Sequence, residues 1–493
     1  MLAWTIYISW IGAGVLLCLN PDRKRAARLL ALLTALAGWG VALAGAWSGA
    51  DGRLRTVIKL PWVPSLGLQF YLAADGISLT LVVLTGLAAV AGILFSWNIG
   101  HRVKEFFAFY LVLIGGVYGV FLSFDIFLLF VCYEIAIVPK YFLIAIWGST
   151  RKEYGAMKLA IYSFAGSGLV LIGLIAAYVT AGSKSFDLLE LARHPFPLGL
   201  QLWAFPTVFL GFAILAGLWP FHTWAPTGHV AAPTGASMLL AGVVMKLGAY
   251  GALRVAMTLF PLGLVAWQKP IALLAVTGIV YGATVALVQK DFKFVIGYSS
   301  VSHMGFVLLG LMTLTLTGLS GAVLQMFSHG VIAGLLFAVV GRMVYDRAHT
   351  RELSVLEGLN LGRALPFAAV TFTIAGAASM GLPGFSGFVA ELQVLIGAWQ
   401  AFPVYALLGG LGVVIGVAYT LRALQKSFFG DHPAPLPPGA AELEPISWPE
   451  RLGSALLILA TLMIGLYPRL LLDMIIPSLQ APWMQEVLKG GRL

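Results

Sequence analysis

Apolar segments of about twenty residues recur along the whole sequence, and each is long enough to cross a bilayer as an α-helix. Of the 493 residues, 60% are hydrophobic and 10% are charged, whereas a soluble globular domain carries about 25% charged residues. A soluble fold and a single membrane anchor are therefore both excluded. We predict an all-α polytopic membrane protein with about fourteen transmembrane helices. The predicted helices span residues 3–19, 29–48, 75–97, 106–122, 125–147, 157–181, 203–221, 236–257, 270–288, 293–313, 319–344, 367–398, 402–424 and 452–474.

The basic residues of the loops predict the orientation of the chain in the membrane. Loops that follow odd-numbered helices, beginning with residues 20–28, carry more lysine and arginine than the loops of the opposite face. The positive-inside rule then places the first loop in the cytoplasm and both termini on the outer side. The net charge of +10 is spread over short loops. We therefore expect contact with anionic lipid headgroups and no nucleic-acid partner.

Three predicted helices carry ionisable residues well inside the apolar segment. Glu134, Lys246 and Glu391 lie in the fifth, eighth and twelfth helices, and Glu391 follows a break at residues 381–384. A charged side chain in hydrocarbon costs roughly 2.5 kcal/mol or more, and such residues usually mark ion pathways. A proton pathway is the main hypothesis for these groups. The alternatives are a protonated packing carboxylate, a snorkelling lysine and an acid that only caps the break.

Lys140 is a second charged residue in the helix of Glu134, six residues further along the chain. At about 100° per residue the two side chains are about 240° apart, so they do not share a helix face. Lys140 either belongs to the pathway or snorkels to the inner interface, and the pattern favours neither interpretation.

His303 and His329 stand in adjacent predicted helices, and serines accompany both of them. Two such histidines can relay protons, although a membrane histidine is often only a hydrogen-bonded packing residue. A metal site is disfavoured because no local carboxylate or cysteine completes a ligand set. The two cysteines lie in separate spans, and the sequence contains no phosphate-binding loop or catalytic triad. We therefore expect no cofactor and no redox centre in this chain.

The order of the helices contains a weak internal repeat. Five helices that end with the Lys246 helix are followed by five that end near residue 424, and the fourth helix of each set is interrupted. Repeats with an odd number of helices form an inverted pair, which in transporters places ion sites near the midplane. The predicted divisions are the N-terminal helices 1–3 (1–100), a first five-helix repeat (101–258), a second, inverted repeat (259–428), and a cytoplasmic connector with the last transmembrane helix and the tail (429–493).

Several motifs occur together and in a fixed order. They are FLLFVCYEIAIVPKYFLIAIWG, PFHTWAPTGHVAAPTGAS, AGVVMKLGAYG, KDFKFVIGYSSVSHMGFV, QMFSHGVIAGLLFAVVGRMVYDRAHTREL and GLPGFSGFVAEL. With them the chain resembles subunit M of NADH–quinone oxidoreductase, respiratory complex I, over about residues 60–430. The wider antiporter-like family also contains subunits L and N and the Mrp antiporter subunits. These typically carry lysine at the position of Glu391, so the glutamate favours subunit M.

The resemblance implies two inverted five-helix repeats whose discontinuous helices are the seventh and the twelfth. It implies a proton-translocating module of the membrane arm in a bacterial inner membrane, driven by quinone reduction elsewhere in the complex. The implied partners are L-type and N-type antiporter-like subunits and small membrane subunits. By position, Glu134 is the acid of the fifth helix, Lys246 the central lysine of the eighth and Glu391 the exit-side acid of the twelfth. His303 and His329 belong to the polar axis that connects them.

The seventh helix departs from the family pattern. The family usually carries a lysine seven residues before the histidine of PFHTW, and this chain has Leu215 there. Thr227 and Ala231 likewise stand where the family usually has acids. Our hypothesis is that Lys140, at a usually uncharged position, replaces the missing lysine as the partner of Glu134. The alternatives are an Mrp-type cation/proton antiporter subunit, or a diverged M-type subunit with a structural or altered pumping role.

Overall fold

The computed structural model describes residues 1–359, 361–430 and 443–489. Twelve helices in this part of the chain are long and apolar enough to cross a membrane, and two shorter apolar helices accompany them. The prediction of an all-α polytopic membrane protein is confirmed. The number fourteen and the inverted relation of the two repeats remain predictions.

The elements follow one another as a series of helices with one β-hairpin near the N-terminus. They are α1 (Trp4–Cys18), α2 (Lys24–Ser48), β1 (Arg55–Val63), β2 (Leu68–Ala74), α3 (Gly76–Phe95), α4 (Val103–Leu122), α5 (Ile126–Trp147), α6 (Lys152–Thr180), α7 (Leu188–Leu191), α8 (Leu198–Ala216), α9 (Trp224–Ala231), α10 (Thr234–Met257), α11 (Pro261–Val288), α12 (Phe292–Met312), α13 (Leu316–Ala348), α14 (Leu353–Leu359), α15 (Leu361–Ala364), α16 (Pro366–Ser379), α17 (Ser386–Ala401), α18 (Pro403–Phe428), α19 (Trp448–Leu466), α20 (Arg469–Leu479) and α21 (Gln485–Lys489).

Helices α10 and α13 form the centre of the bundle and have almost no surface exposed outside the protein. Small residues allow their backbones to approach, as in other membrane bundles. A Cβ atom on Gly330 would lie 2.6 Å from the carbonyl oxygen of Gly242. Because Lys246 is one turn beyond Gly242 and His329 directly precedes Gly330, this contact brings a lysine and a histidine from distant parts of the chain together.

Both predicted helix interruptions are present. The first lies between α8 and α9, where Gly217 has the left-handed φ of 85°. The second lies between α16 and α17, where Gly381 and Gly384 have φ of 73° and 98°. Glycine adopts these conformations without the steric cost that other residues meet. Each break leaves backbone groups without helical partners in the membrane interior, and such groups are tolerated only where protein or water satisfies them.

The β-hairpin was not predicted, because residues 49–74 read as a loop between two helices. Strand β1 pairs antiparallel with β2, and Arg55 lies opposite Ala74. Gly67, at the turn, has a φ of 68°, and a Cβ there would lie 1.9 Å from the carbonyl oxygen of Lys184. A salt bridge of 2.7 Å between Lys59 and Asp187 also ties the hairpin to the α6–α8 connection. The Asp187 carboxylate raises the pKa of Lys59.

The C-terminal part corrects the predicted last helix. We expected one span over 452–474, but α19 ends at Leu466 and α20 begins at Arg469. Pro468 separates them, because proline cannot continue the hydrogen-bond ladder of the preceding helix. Residues 431–442 of the predicted cytoplasmic connector lie outside the described residues.

Candidate proton-transfer site

Lys246 lies at the centre of the candidate site and is completely buried on α10. A π-helical segment, Leu240–Val244, directly precedes its turn, a feature that often accompanies functional positions. The ammonium group donates to the carbonyl oxygen of Ala241 and lies 2.9 Å from Nδ1 of His329 on α13. The lysine therefore has two polar partners in an otherwise apolar interior.

The chain of polar groups continues from His329 to the second interrupted helix. The rings of His329 and His303 are stacked with 5.6 Å between their centroids and 28° between their planes. Nδ1 of His303 lies 2.8 Å from Oε1 of Glu391 on α17. Lys246, His329, His303 and Glu391 come from four helices and are far apart in sequence. The structure thus brings four of the five predicted pathway residues into one row of neighbouring polar groups, in which the His329 and His303 rings are stacked without a direct hydrogen bond among the described residues.

Two residues that the sequence analysis did not select complete the surroundings of Glu391. Gln325 donates from Nε2 to Oε1 of Glu391 at 3.1 Å. The Ser379 hydroxyl, at the end of α16, lies 3.1 Å from Nε2 of His303. Gln325 lies one turn before His329 in the QMFSHG motif, and this spacing places both on one helix face. Ser379 directly precedes the break, which was the available signal for a polar contact there.

Glu134 is not part of this row of polar groups. It is partly exposed on α5, yet its Oε1 atom is buried and has no hydrogen-bond partner among the described residues. The Ser167 hydroxyl on α6 is its polar neighbour, and the charge of Lys140 also acts on it. No direct hydrogen bond within the described chain joins Glu134 to Lys246. A transfer between these two residues requires water or side-chain motion.

Lys140 is only 1% exposed, so it does not snorkel to the membrane surface. Its ammonium group has no hydrogen-bond partner within the described residues, and Glu134 is the carboxylate whose charge acts on it. A buried and unpartnered lysine is costly, because the cation is removed from water without compensation. Although the two side chains leave α5 on different faces, the charge of each acts on the other.

Leu215 lies on a helix that contacts both parts of the site. It is buried near the end of α8, and its neighbour Phe212 contacts Tyr133 with 5.6 Å between ring centroids. On the other side, a Cβ on Gly248 of α10 would lie 2.3 Å from the Phe212 carbonyl oxygen. Helix α8 therefore contacts both α5, with Glu134, and α10, with Lys246. The family position that lacks its lysine lies on this helix.

The other two departures are accommodated by small contacts. Thr227 lies 3.4 Å from the ammonium group of Lys158 through its hydroxyl, where an acid would form an ion pair. The methyl group of Ala231 packs against Gly155. These substitutions leave a hydrogen bond and a close helix contact in place of two charges.

A second buried ion pair lies towards the hairpin end of the bundle. Arg254 lies near the end of the predicted helix 236–257 and was not selected as a site residue, but it is completely buried and donates to Asp75 at 2.6 Å. Asp75 also caps α3 through the backbone N–H of Ser78. Tyr250, one turn before Arg254, bonds to both the Arg254 guanidinium and the Ser78 hydroxyl. The polar face of α10 therefore extends beyond Lys246.

A family model described as "NADH:quinone oxidoreductase/Mrp antiporter, TM" matches residues 123–416. The chain belongs to this family. The matched region contains α5 to α17 and every residue of the candidate site. This match confirms the wider antiporter-like family indicated by the motifs, and the relatives described next confirm the resemblance to subunit M.

Two relatives of this family member match nearly its whole length. One is the "NAD(P)H-quinone oxidoreductase chain 4 1" of Synechococcus elongatus, 37% identical over 462 residues, with 92% of this chain and 86% of the relative covered. The other is the "NADH-quinone oxidoreductase subunit M" of Rhodobacter capsulatus, 35% identical over 474 residues, with 93% and 91% covered.

Solved structures agree with this assignment. A chain of respiratory complex I from Thermus thermophilus with bound NADH superposes with a TM-score of 0.89 at 28% identity, and the match covers 99% of this chain and 100% of that chain. A chain of the Mrp complex from Dietzia gives a TM-score of 0.87 at 20% identity, with 99% of both chains covered. The second likeness shows the shared fold alone.

Proposed function

We propose that this chain is an M-type, proton-translocating antiporter-like subunit in the membrane arm of a complex I-type quinone oxidoreductase. The observation that carries the proposal is the row of neighbouring polar side chains Lys246, His329, His303 and Glu391 through the bundle centre. The whole-length similarity to subunit M and chain 4 proteins supports the same role. The chain itself holds no redox centre in this proposal, and quinone reduction elsewhere in the complex drives it.

The assembly and orientation follow from the same proposal. The neighbours in the membrane arm are L-type and N-type antiporter-like subunits and small membrane subunits. The chain lies in the inner membrane of a bacterium with both termini on the periplasmic side, as its loop charges predict. The four predicted divisions of the chain correspond to the N-terminal helices, the two inverted repeats and the C-terminal segment.

Proton movement along this row of polar side chains depends on electrostatic interactions between neighbouring groups. Lys246 and His329 are 2.9 Å apart, so a proton on one strongly disfavours a proton on the other in a low-dielectric interior. A proton that leaves Lys246 for His329 reaches His303 through a water molecule or a ring rotation, because the two stacked rings share no hydrogen bond, and then passes to the Glu391 carboxylate. Each group accepts one proton and releases one, and Gln325 holds the carboxylate in place.

Glu134 and Lys140 form the entry side in this proposal. Lys140 lies inside the protein and its charge acts on Glu134, as the lysine usually found at the position of Leu215 would do. Removal of the Lys140 charge then changes the protonation of Glu134, and the change is passed to Lys246 by electrostatic coupling.

Neutral variants of the two acids test the function. Glu134→Gln and Glu391→Gln are introduced into the complete complex, with Glu153→Gln on the exposed start of α6 as the matched control. The complex is reconstituted into liposomes, and protons pumped per quinone reduced are measured together with quinone reduction. We expect each site variant, but not the control, to lower the proton ratio. An unchanged ratio in both assembled variants would refute the proton-carrying role.

Leu215 favours one second candidate, a subunit that extends the membrane arm without pumping. That role predicts normal proton ratios in all three variants and no ordered water near Glu134 or Lys246. The Mrp-type antiporter alternative predicts transport that depends on sodium, which the same liposomes can detect when sodium is replaced by potassium.

A further inference from the structure

A membrane-facing groove runs between α16 and α19, and its lining contains none of the pathway residues described above. Its volume is about 640 Å³. The walls are apolar and open outwards, since Val370 and Leu459 are 59% and 62% exposed. The remaining wall residues that face the groove include Phe367, Ile374, Leu452 and Ala455.

One cation lies at the end of this groove where α19 begins. The Arg451 guanidinium lies over the rings of Trp448 and Phe367, at 5.4 and 5.7 Å from their centroids. No carboxylate within the described residues lies at ion-pair distance from Arg451. The adjacent Glu450 binds Arg347 instead, at 2.8 Å. The guanidinium therefore lies beside two aromatic rings at the mouth of the groove.

The length of the groove fits one leaflet of a bilayer. It follows α19 from Trp448 to Leu462, which at about 1.5 Å per residue is about 21 Å. One leaflet contributes roughly 15 Å of hydrocarbon, so the groove extends from the headgroup level to the bilayer midplane. The charged end lies at a membrane interface, and the loop charges predict that this interface is the inner one.

We propose that the groove binds an anionic phospholipid, with one acyl chain along α16 and α19 and its phosphate on Arg451. A planar guanidinium can donate two parallel hydrogen bonds to a phosphate, and anionic lipids attract basic residues at the inner surface. An apolar helix of a neighbouring subunit would fill the groove but would bury the Arg451 cation without a partner, which is unfavourable. The inference does not depend on the proposed function.

The occupant also has a structural consequence for the pathway. Helix α16 forms one wall of the groove and ends at Ser379, which contacts His303. A lipid between α16 and α19 supports the first half of the interrupted helix from the membrane side.

Photocrosslinking of the intact complex tests the proposal. Phosphatidylglycerol and phosphatidylcholine that carry the same diazirine acyl chain are incorporated into separate liposomes, and labelled peptides are identified by mass spectrometry. We expect several-fold more labelling of residues 367–374 and 448–462 by phosphatidylglycerol. Arg451→Gln should reduce this preference to near equality. Arg25→Gln, an exposed arginine at the start of α2 without such a groove, is the matched control and should leave it unchanged.

A second variant tests the acyl chain separately from the headgroup. Ala455 is exposed in the groove wall, so Ala455→Phe fills the groove without altering the core of the bundle. It should lower labelling of the groove by both lipids several-fold while Arg451 is still present. Equal labelling by both lipids in the unaltered complex would overturn the proposal. An unlabelled groove beside labelled neighbouring helices would also overturn it and would assign the face to a subunit contact.

Discussion

Replacement of Lys140 by methionine separates a functional lysine from a structural one. Methionine has a similar length and no charge, so Lys140→Met keeps the packing and removes the ammonium group. In the structure this group is 1% exposed and has no hydrogen-bond partner among the described residues. A buried unsatisfied donor costs about 1–3 kcal/mol, and this cost disappears in the variant. We therefore expect Lys140→Met to stabilise the subunit by about that amount.

The same substitution should impair pumping. Without the Lys140 charge, Glu134 loses the one cation among the described residues whose charge acts on it, and its protonation is no longer coupled to the rest of the pathway. We expect fewer protons per quinone reduced at nearly normal quinone reduction. The combination of higher stability and weaker pumping distinguishes this residue from a structural ion pair, whose loss costs about 3–5 kcal/mol.

The assay combines two measurements on the same reconstituted complex. The midpoint of thermal inactivation reports stability, and a pH-sensitive dye inside the liposomes reports proton uptake. Lys140→Arg is the matched control, because it keeps the charge and should pump more than Lys140→Met. A lower inactivation midpoint together with normal pumping in Lys140→Met would refute the reasoning.

A second-site variant tests whether a lysine at position 215 can replace Lys140. Leu215 lies on α8, whose Phe212 contacts Tyr133 beside Glu134. Leu215→Lys in the Lys140→Met background restores a cation at the usual family position. Recovery of proton pumping is the expected result. If the double variant assembles and pumps no better than Lys140→Met, the two positions are not equivalent.

Two further predictions concern other buried polar groups. Asp75→Asn should destabilise the subunit by about 3–5 kcal/mol, because Arg254 is then left buried without its carboxylate, and a thermal inactivation midpoint close to the parent value would contradict this. Gln325→Leu removes the donor to Glu391 and should lower the proton ratio several-fold with little loss of assembly, as measured in the same liposomes; a normal ratio would make Gln325 a packing residue.

Features that depend on local chemistry could be predicted from the sequence. The apolar segments predicted the helices because a bilayer admits little else. Glycine and proline at the two interruptions restrict the backbone themselves, so α8 and α16 end near the predicted positions. The QMFSHG motif also contained a usable signal, because residues three and four apart on a helix share a face, which places Gln325 and His329 together.

Features that depend on distant partners could not be predicted in this way. Arg254 stands near the end of an apolar segment and was not selected as a site residue, because its partner Asp75 is 179 residues away. The β-hairpin was missed because Pro61 interrupts its first strand, and proline is unfavourable in the interior of a sheet. The hairpin is stabilised by contacts outside its own sequence, including the Lys59–Asp187 ion pair.

Lys140 shows where a helical wheel stops being informative. The 240° separation from Glu134 correctly places the two side chains on different faces of α5. It does not tell which faces are buried, since that depends on the helices packed around α5. Val138 and Phe142, on either side of Lys140 in sequence, are exposed, while Lys140 itself is buried. The face that lacks Glu134 is therefore also an interior face, and a lysine there costs stability unless its charge has a role. The absence of a lysine at position 215 and the presence of one at 140 become a single observation only when packing brings α8 against α5, the helix that carries both Glu134 and Lys140.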